Sequence, residues 1–297
     1  MRACVIFNPA ARGDKAGPIR ARLEALPGEV VIRPTAGPGT AVGLAQEAVA
    51  AGFDTVVAAG GDGTVNEVVN GLAAAPQGLE RVRLAVLPLG TVNVFARELT
   101  LPTNLEAAWA LTHEGAETRL DLPQVEFRRS DPPRRLYFVQ LAGAGLDARA
   151  VARVSWRWKK RVGPLAYALA GFQAWRGPQP VVTAQVGDTQ VAGEAVLVGN
   201  GRLYGGSVVM FAGADPRDGL LEVRVLPRVT WRVLAGFGWC YALHRPFRFS
   251  PERCWRAAEL ELGSNARVPV ELDGELSGEL PAHVSLRPRA LRVITAG

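Results

Sequence analysis

Chemistry in this chain concentrates in a few short stretches. Gly60-Gly61-Asp62-Gly63-Thr64, followed by Asn66 and Glu67, ends an apolar, β-branched run. It opens a segment whose apolar residues at 65, 68, 69 and 72 fall on one face of a helix. Glycines in such a strand-to-helix turn let main-chain amides approach phosphate oxygens, and the helix N-terminus adds partial positive charge. A second turn of the same kind, Leu89-Gly90-Thr91-Val92-Asn93, ends the next apolar run. If the two strands are neighbours, both turns face one crevice beyond the strand ends, where open α/β sheets bind ligands. The pair points to a nucleotide, whereas either turn alone is compatible with a plain tight turn. Neither is a Walker A loop, which needs Gly-Lys-Ser/Thr, nor the dinucleotide fingerprint GxGxxG.

The acidic candidates lie further on. LDGE at 272–275 sets Asp273 and Glu275 on either side of a glycine. Two carboxylates this close can hold a metal or a proton, because their repulsion raises one pKa toward neutrality. Asp-Gly is also a common hairpin turn. DPRDG at 215–219 carries Asp215 and Asp218 just before Leu220, and by itself it reads as a turn. From Arg149 to Arg176 the chain has seven basic residues and no acidic one. Within it, Trp156 and Trp158 alternate with Arg157, Lys159, Lys160 and Arg161. Interleaved tryptophans and cations suit an anionic membrane interface. A solvated basic face is the plain alternative, and single-stranded nucleic acid is the least favoured partner.

The elements that must position these residues fall into two textures. Up to about Leu120, apolar strand-like runs (ACVIFN, EVVIRPT, DTVVAA, RLAVLP) alternate with helical segments at Pro18–Leu26, Thr40–Ala51, from Val65 and from about Val92. That alternation predicts a mostly parallel sheet covered by helices. Beyond Leu120, short alternating segments joined by Gly, Pro, Asp and Asn predict antiparallel sheets. Helical stretches interrupt them at about 148–175 and 231–243. With 297 residues, the chain suits two domains: 1–120, to which 288–297 returns, and 121–287.

Bulk properties narrow the class. Apolar residues make up 48% and charged residues 21%, a globular rather than disordered composition. The net charge of +6 fits anionic partners without choosing among them. Cys4, Cys240 and Cys254 match no metal spacing and read as reduced structural thiols. The N-terminus lacks the pattern of a signal peptide, and Val233–Leu243 is about half the ~20 residues of a spanning helix. The expectation is a soluble, cytoplasmic protein that meets a bilayer peripherally.

Taken in order, a further set of motifs becomes specific. FNPAARG (7–13), GGDGTVNEVVNGL (60–72), LPLGTVNVFAREL (87–99), GAGLDARAV (143–151), NGRLYGGSVVMFAGADPRDGLLEVRVL (200–226) and LDGE (272–275) resemble the diacylglycerol kinase catalytic-domain family. These are soluble bacterial lipid kinases related to sphingosine and ceramide kinases. GGDGT alone is shared with NAD kinases and phosphofructokinases; the ordered set is not. The resemblance implies a phosphofructokinase/NAD kinase-like α/β domain followed by a β-sandwich. It implies ATP and Mg2+ as cofactors and a membrane lipid as acceptor, and it leaves a homodimer open. Asn8, Thr35, Gly60, Gly61, Asp62, Gly63, Thr64, Val65, Asn66, Gly90 and Thr91 would line the ATP site. Asp62 would act near the phosphates and their metal. Either Asp273 or Glu275 would be the general base, with Glu275 the better match. Asp215, Asp218 and Leu220 would form a structural magnesium site.

One departure stands out. Val94 occupies the place where the family often has an acidic residue after Gly-Thr-x-Asn, so metal placement is open there. It also keeps a non-catalytic lipid- or nucleotide-binding protein beside the lipid kinase; another GGDGT-type kinase, acting on NAD, is the other alternative, and the β-rich second half with DPRDG and LDGE, and GTVNVFAREL, speak against it.

Overall fold

The computed structural model describes residues 2–11, 16–129, 131–153, 177, 179–243, 245–250 and 253–296. The tryptophan-bearing basic stretch at 156–161, and with it most of the helix expected at 148–175, lies outside the described residues. The chain divides into two compact units, Met1–Leu122 with Pro288–Gly297, and Pro123–Arg287.

The first unit contains β1 (Ala3–Phe7), α1 (Ala16–Glu24), β2 (Val30–Pro34), α2 (Thr40–Ala50), β3 (Thr55–Gly60), α3 (Asp62–Ala74), α4 (Gly78–Arg81), β4 (Arg83–Pro88), α5 (Val94–Glu98), α6 (Leu105–Glu114) and the start of β5 (Ala116–Phe127). Its strands run parallel in the order β2-β1-β3-β4. β1 and β3 are buried along their whole length, which is why they read as unbroken apolar runs, while edge strand β2 is half exposed. One face of the sheet packs Val5, Phe7, Val57, Ala59 and Leu87 against Leu23 of α1 and Trp109 of α6. Helices α2 and α3 pack on each other as well as on β1 and β3. Gly71 permits that approach, because a Cβ there would lie 2.6 Å from the Ala45 Cβ.

The second unit continues with β6 (Arg134–Tyr137), β7 (Leu141–Gly145), α7 (Leu146–Arg153), β8 (Val182–Val186), β9 (Thr189–Gly193), β10 (Ala195–Gly199), β11 (Leu203–Tyr204), β12 (Val208–Val209), β13 (Leu221–Leu226), α8 (Trp231–Ala242), β14 (Cys254–Ala257), β15 (Glu259–Gly263), β16 (Pro269–Leu272), β17 (Glu275–Glu279) and the start of β18 (Ala282–Thr295). An antiparallel sheet runs β14-β13-β10-β7-β16-β17. A second antiparallel set joins the start of β18 to β15, β8 and β9. Alternate residues of both sets, among them Ala142, Ala144, Val196, Val198 and Val270 against Ala184, Leu260 and Val284, share one core. That is a β-sandwich with period-two burial.

Two local differences from the sequence expectation have simple causes. Helix α3 begins at Asp62 rather than at the first apolar residue, Val65, because its polar first turn carries no periodicity. Helix α5 begins at Val94, since Asn93 takes a left-handed conformation with φ of 51°. The closing segment is one long strand, β18, in which Arg289 (φ 49°) donates its N–H to the buried Asp121 carboxylate at 2.7 Å. The far end of β18 adds to the first unit's sheet, pairing Val293 in parallel with Leu84 of β4.

Candidate active site

At the carboxyl ends of the parallel strands, the first unit gathers most of the residues expected to bind a nucleotide. The order β2-β1-β3 places the reversal of winding between β1 and β3, the position at which open sheets form a ligand crevice. Asn8 leaves the end of β1. Its N–H donates to Ala59 O at 2.9 Å and its Nδ2 to Thr64 Oγ1 at 2.9 Å. The end of β2 is tied in by Thr35 N donating to Phe7 O at 2.8 Å.

The two glycine turns touch. Gly60 O accepts from both Leu89 N (2.9 Å) and Gly90 N (3.1 Å). A Cβ at Gly90 would lie 2.5 Å from Gly61 Cα and 2.6 Å from Asn93 Oδ1, so no side chain fits at the crossing. Asn93 closes its own turn, accepting from Gly90 N at 2.9 Å and donating to Gly90 O at 2.8 Å. Asp62, in the first turn of α3, accepts from Phe95 N at 3.2 Å and so links the two turns a second time. No side chain caps α3, whose N-cap is Gly61. Main-chain donors at a helix start framed by glycines are suited to phosphate oxygens.

Not every residue of the GGDGTVN stretch faces this crevice. Thr64 is buried and holds Asn8, and Val65 is a core residue. Glu67 reaches over to α2, accepting from Gly39 N at 2.7 Å and Ala41 N at 3.0 Å. Its carboxylate satisfies two of the donors at the α2 start, a role that neighbouring sequence could not reveal.

The second unit presents LDGE as a two-residue hairpin between β16 and β17. Asp273 and Gly274 both have positive φ (50° and 84°), and Leu272 pairs with Glu275. That is the Asp-Gly turn whose twist matches the flanking strands. Its two acids differ. Asp273 Oδ2 accepts from Val139 N at 2.8 Å, and Oδ1 from Gln140 N at 2.9 Å and Leu141 N at 3.1 Å. The carboxylate thus anchors the turn to the segment leading into β7. Glu275, by contrast, is exposed.

Behind the turn lies a pair of acids that no local pattern announced. Glu271 of β16 pairs in register with Gly143 of β7, and Asp147 sits in the first turn of α7. Burial raises the pKa of both carboxyls, Glu271 well above the ordinary range, and the nearby Asp147 charge pushes Glu271 further. The Tyr204 hydroxyl donates to Asp147 Oδ1, and Gly274 N donates to Glu271 Oε2 at 2.6 Å. Asp147 Oδ2 and Glu271 Oε1 are buried, and among the described residues neither has a hydrogen-bond partner. Like charges this close cannot both ionise, so the pair shares one proton. Gly143 makes room for it: a Cβ there would lie 2.8 Å from Glu271 Oε1.

The loop expected to hold magnesium is closed by arginines. Asp218 pairs with Arg256 and accepts from Leu220 N at 2.9 Å, while Asp215 pairs with Arg217 at 3.0 Å. No group of three or more His, Cys, Asp or Glu converges as a metal site among the described residues. Here both carboxylates are paired with guanidinium groups.

Comparison with known proteins agrees with this architecture. Residues 2–125 match the family model described as the diacylglycerol kinase catalytic domain. Residues 140–295 match the YegS C-terminal NAD kinase beta sandwich-like domain. A Pseudomonas aeruginosa (strain UCBPP-PA14) protein named "Probable lipid kinase YegS-like" is 36% identical over 275 residues, 89% of this chain and 84% of that protein. A diacylglycerol kinase of Staphylococcus saprophyticus is 27% identical over 301 residues, 99% of this chain and 95% of that one. A crystal structure of a diacylglycerol kinase from Bacillus anthracis superposes with a TM-score of 0.77 at 24% identity, covering 99% of this chain and 96% of that one.

Proposed function

This chain belongs to the diacylglycerol kinase catalytic-domain family, and from that premise we propose that it transfers the γ-phosphoryl group of ATP to the hydroxyl of a membrane lipid. The observation that carries the reading is the meeting of two glycine turns, at Gly61 and Gly90, beside the reversal point of the parallel sheet. There Gly61, Gly63 and Thr91 would bring main-chain donors up to the phosphates through the room that Gly60 and Gly90 leave, with Asn8, Thr35 and Asn66 at the rim. Asp62, at the start of α3, would hold the Mg2+ that neutralises the phosphates. Bound there, the ion supplies charge compensation for the developing transition state.

Glu275 is the proton acceptor in this reading. Its exposed carboxylate takes the proton of the lipid hydroxyl, the hydroxyl oxygen bonds to the γ-phosphorus, and the bond to the ADP oxygen breaks. Asp273 positions that carboxylate through its main-chain bonds. The lipid is of the diacylglycerol kind, an apolar body bearing one free hydroxyl.

Purified protein incubated with radiolabelled ATP and a panel of lipids in mixed micelles, with and without Mg2+, tests the proposal. Phosphate should appear in a lipid. Glu275→Gln should lower kcat by about 10²- to 10⁴-fold, the usual worth of a positioned general base. Asp62→Asn should cost activity that extra Mg2+ partly restores. Full activity in both variants removes these residues from the chemistry, and no labelled lipid at all removes the function.

A further inference from the structure

Helix α8 is apolar on both sides. Its inner side seats Val233 and Leu234 on the cluster of Leu146, Ala195 and Val229. The Phe237 ring packs edge-on to Tyr204, with centroids 5.3 Å apart. Yet no residue of the helix is buried. At 100° per residue the opposite side carries Trp231, Ala235, Gly238, Trp239, Ala242 and, just past the end, Leu243, all exposed. Trp231 is 60% exposed, Trp239 66% and Leu243 45%. A helix meant only for water would be polar on that side, and a contiguous exposed apolar patch marks an interaction surface.

Charge indicates what the surface meets. Residues 223–251 contain Arg224, Arg228, Arg232, Arg245 and Arg248 and no Asp or Glu. Arg224 is buried against Glu222, whereas the other four are exposed. Arg232, the one charge on the outer side of α8, lies over the Trp231 ring at 5.6 Å. Tryptophans flanked by arginines match the headgroup region of an anionic bilayer: rings at the apolar boundary, guanidinium groups on lipid phosphates. A second copy of this chain fits worse, since a twofold axis through the patch would bring the arginines face to face. With 12 residues, α8 is roughly 18 Å long and short of the ~30 Å hydrocarbon core, so it lies in the interface rather than crossing it.

We propose that the Trp231–Trp239–Leu243 side of α8, with Arg228, Arg232, Arg245 and Arg248 around it, docks the protein on an anionic lipid bilayer. The inference rests on the lipid-kinase reading for its purpose, since an acceptor embedded in a bilayer must be met there. Docking itself is measured without turnover.

Flotation with vesicles of phosphatidylcholine alone and of phosphatidylcholine mixed with phosphatidylglycerol tests it. Wild-type protein should float with the mixed vesicles only, and brominated lipids should quench its tryptophan fluorescence. Trp231→Ser/Trp239→Ser should weaken partitioning about tenfold or more and lose that quenching. Arg228→Gln/Arg232→Gln, which leaves the apolar side intact, should weaken it about 25-fold, at ~1 kcal/mol per arginine. Both variants should phosphorylate a monomeric short-chain lipid at wild-type rates while losing rate on vesicles. Vesicle binding unchanged in both variants overturns the proposal, as does a tryptophan variant that dissociates a wild-type dimer. Protein that docks as described yet phosphorylates no lipid upholds the docking and overturns the kinase reading instead.

Discussion

Asp273 and Glu275 have the same chemistry two residues apart, and their surroundings give them different work. Asp273 accepts from three consecutive main-chain N–H groups of a buried segment, Val139 to Leu141. Asp273→Ala leaves those donors without an acceptor and should cost about 3 kcal/mol in urea denaturation. Glu275→Gln, on an exposed residue, should leave the denaturation midpoint unchanged while activity falls. The buried pair makes a pH prediction. Burial raises Asp147 and Glu271, so above the ordinary carboxylate range the folded chain keeps a proton that the unfolded chain releases. This stabilising difference is full at low pH and is lost as pH rises toward the raised pKa. Glu271→Gln removes the Glu271 share of that dependence. Relative to wild type, it should gain stability as pH rises above the ordinary carboxylate range, by up to ~1.4 kcal/mol per pH unit. A pH-independent difference between the two proteins would mean that no proton is shared.

At the scale of elements, much of this fold was legible because each signal is local. The unbroken apolar runs of β1 and β3 mark strands buried on both faces, and Asp-Gly at 273–274 marks its own hairpin. Helix α6 went unread although Asn104 caps it, accepting from Ala107 N at 2.9 Å. Its signal, an Asn before a helical run, is present but weak. The GGDGT stretch reads as one motif yet divides its labour. Its glycines frame the crevice, Thr64 holds the end of β1, and Glu67 serves the start of α2. Glu67→Ala should therefore cost about 1 kcal/mol of stability, the worth of a cap, and loosen α2 in hydrogen exchange without touching the glycines of the turn. Equal protection of α2 in variant and wild type would refute that role.

At the scale of the molecule, the chain's end completes its beginning. Val293 beside β4 and Ile294 in the core come from residues remote in sequence from the strand and core that they complete. Arg292 adds a pair with Glu117 at 2.7 Å. A fragment ending at Leu122 should lack native circular dichroism and sharp amide resonances. The same fragment with 288–297 appended through a flexible linker should recover both. The sequence by itself determined the two textures, the glycine turns and the Asp-Gly hairpin, since each depends on residues within a few positions of one another. Only tertiary structure decided that Gly61 meets Gly90, that Asp147 meets Glu271, and which acid of the hairpin stays exposed. Those outcomes depend on strand order and burial, which bring together side chains whose chain separation carries no trace of the contact.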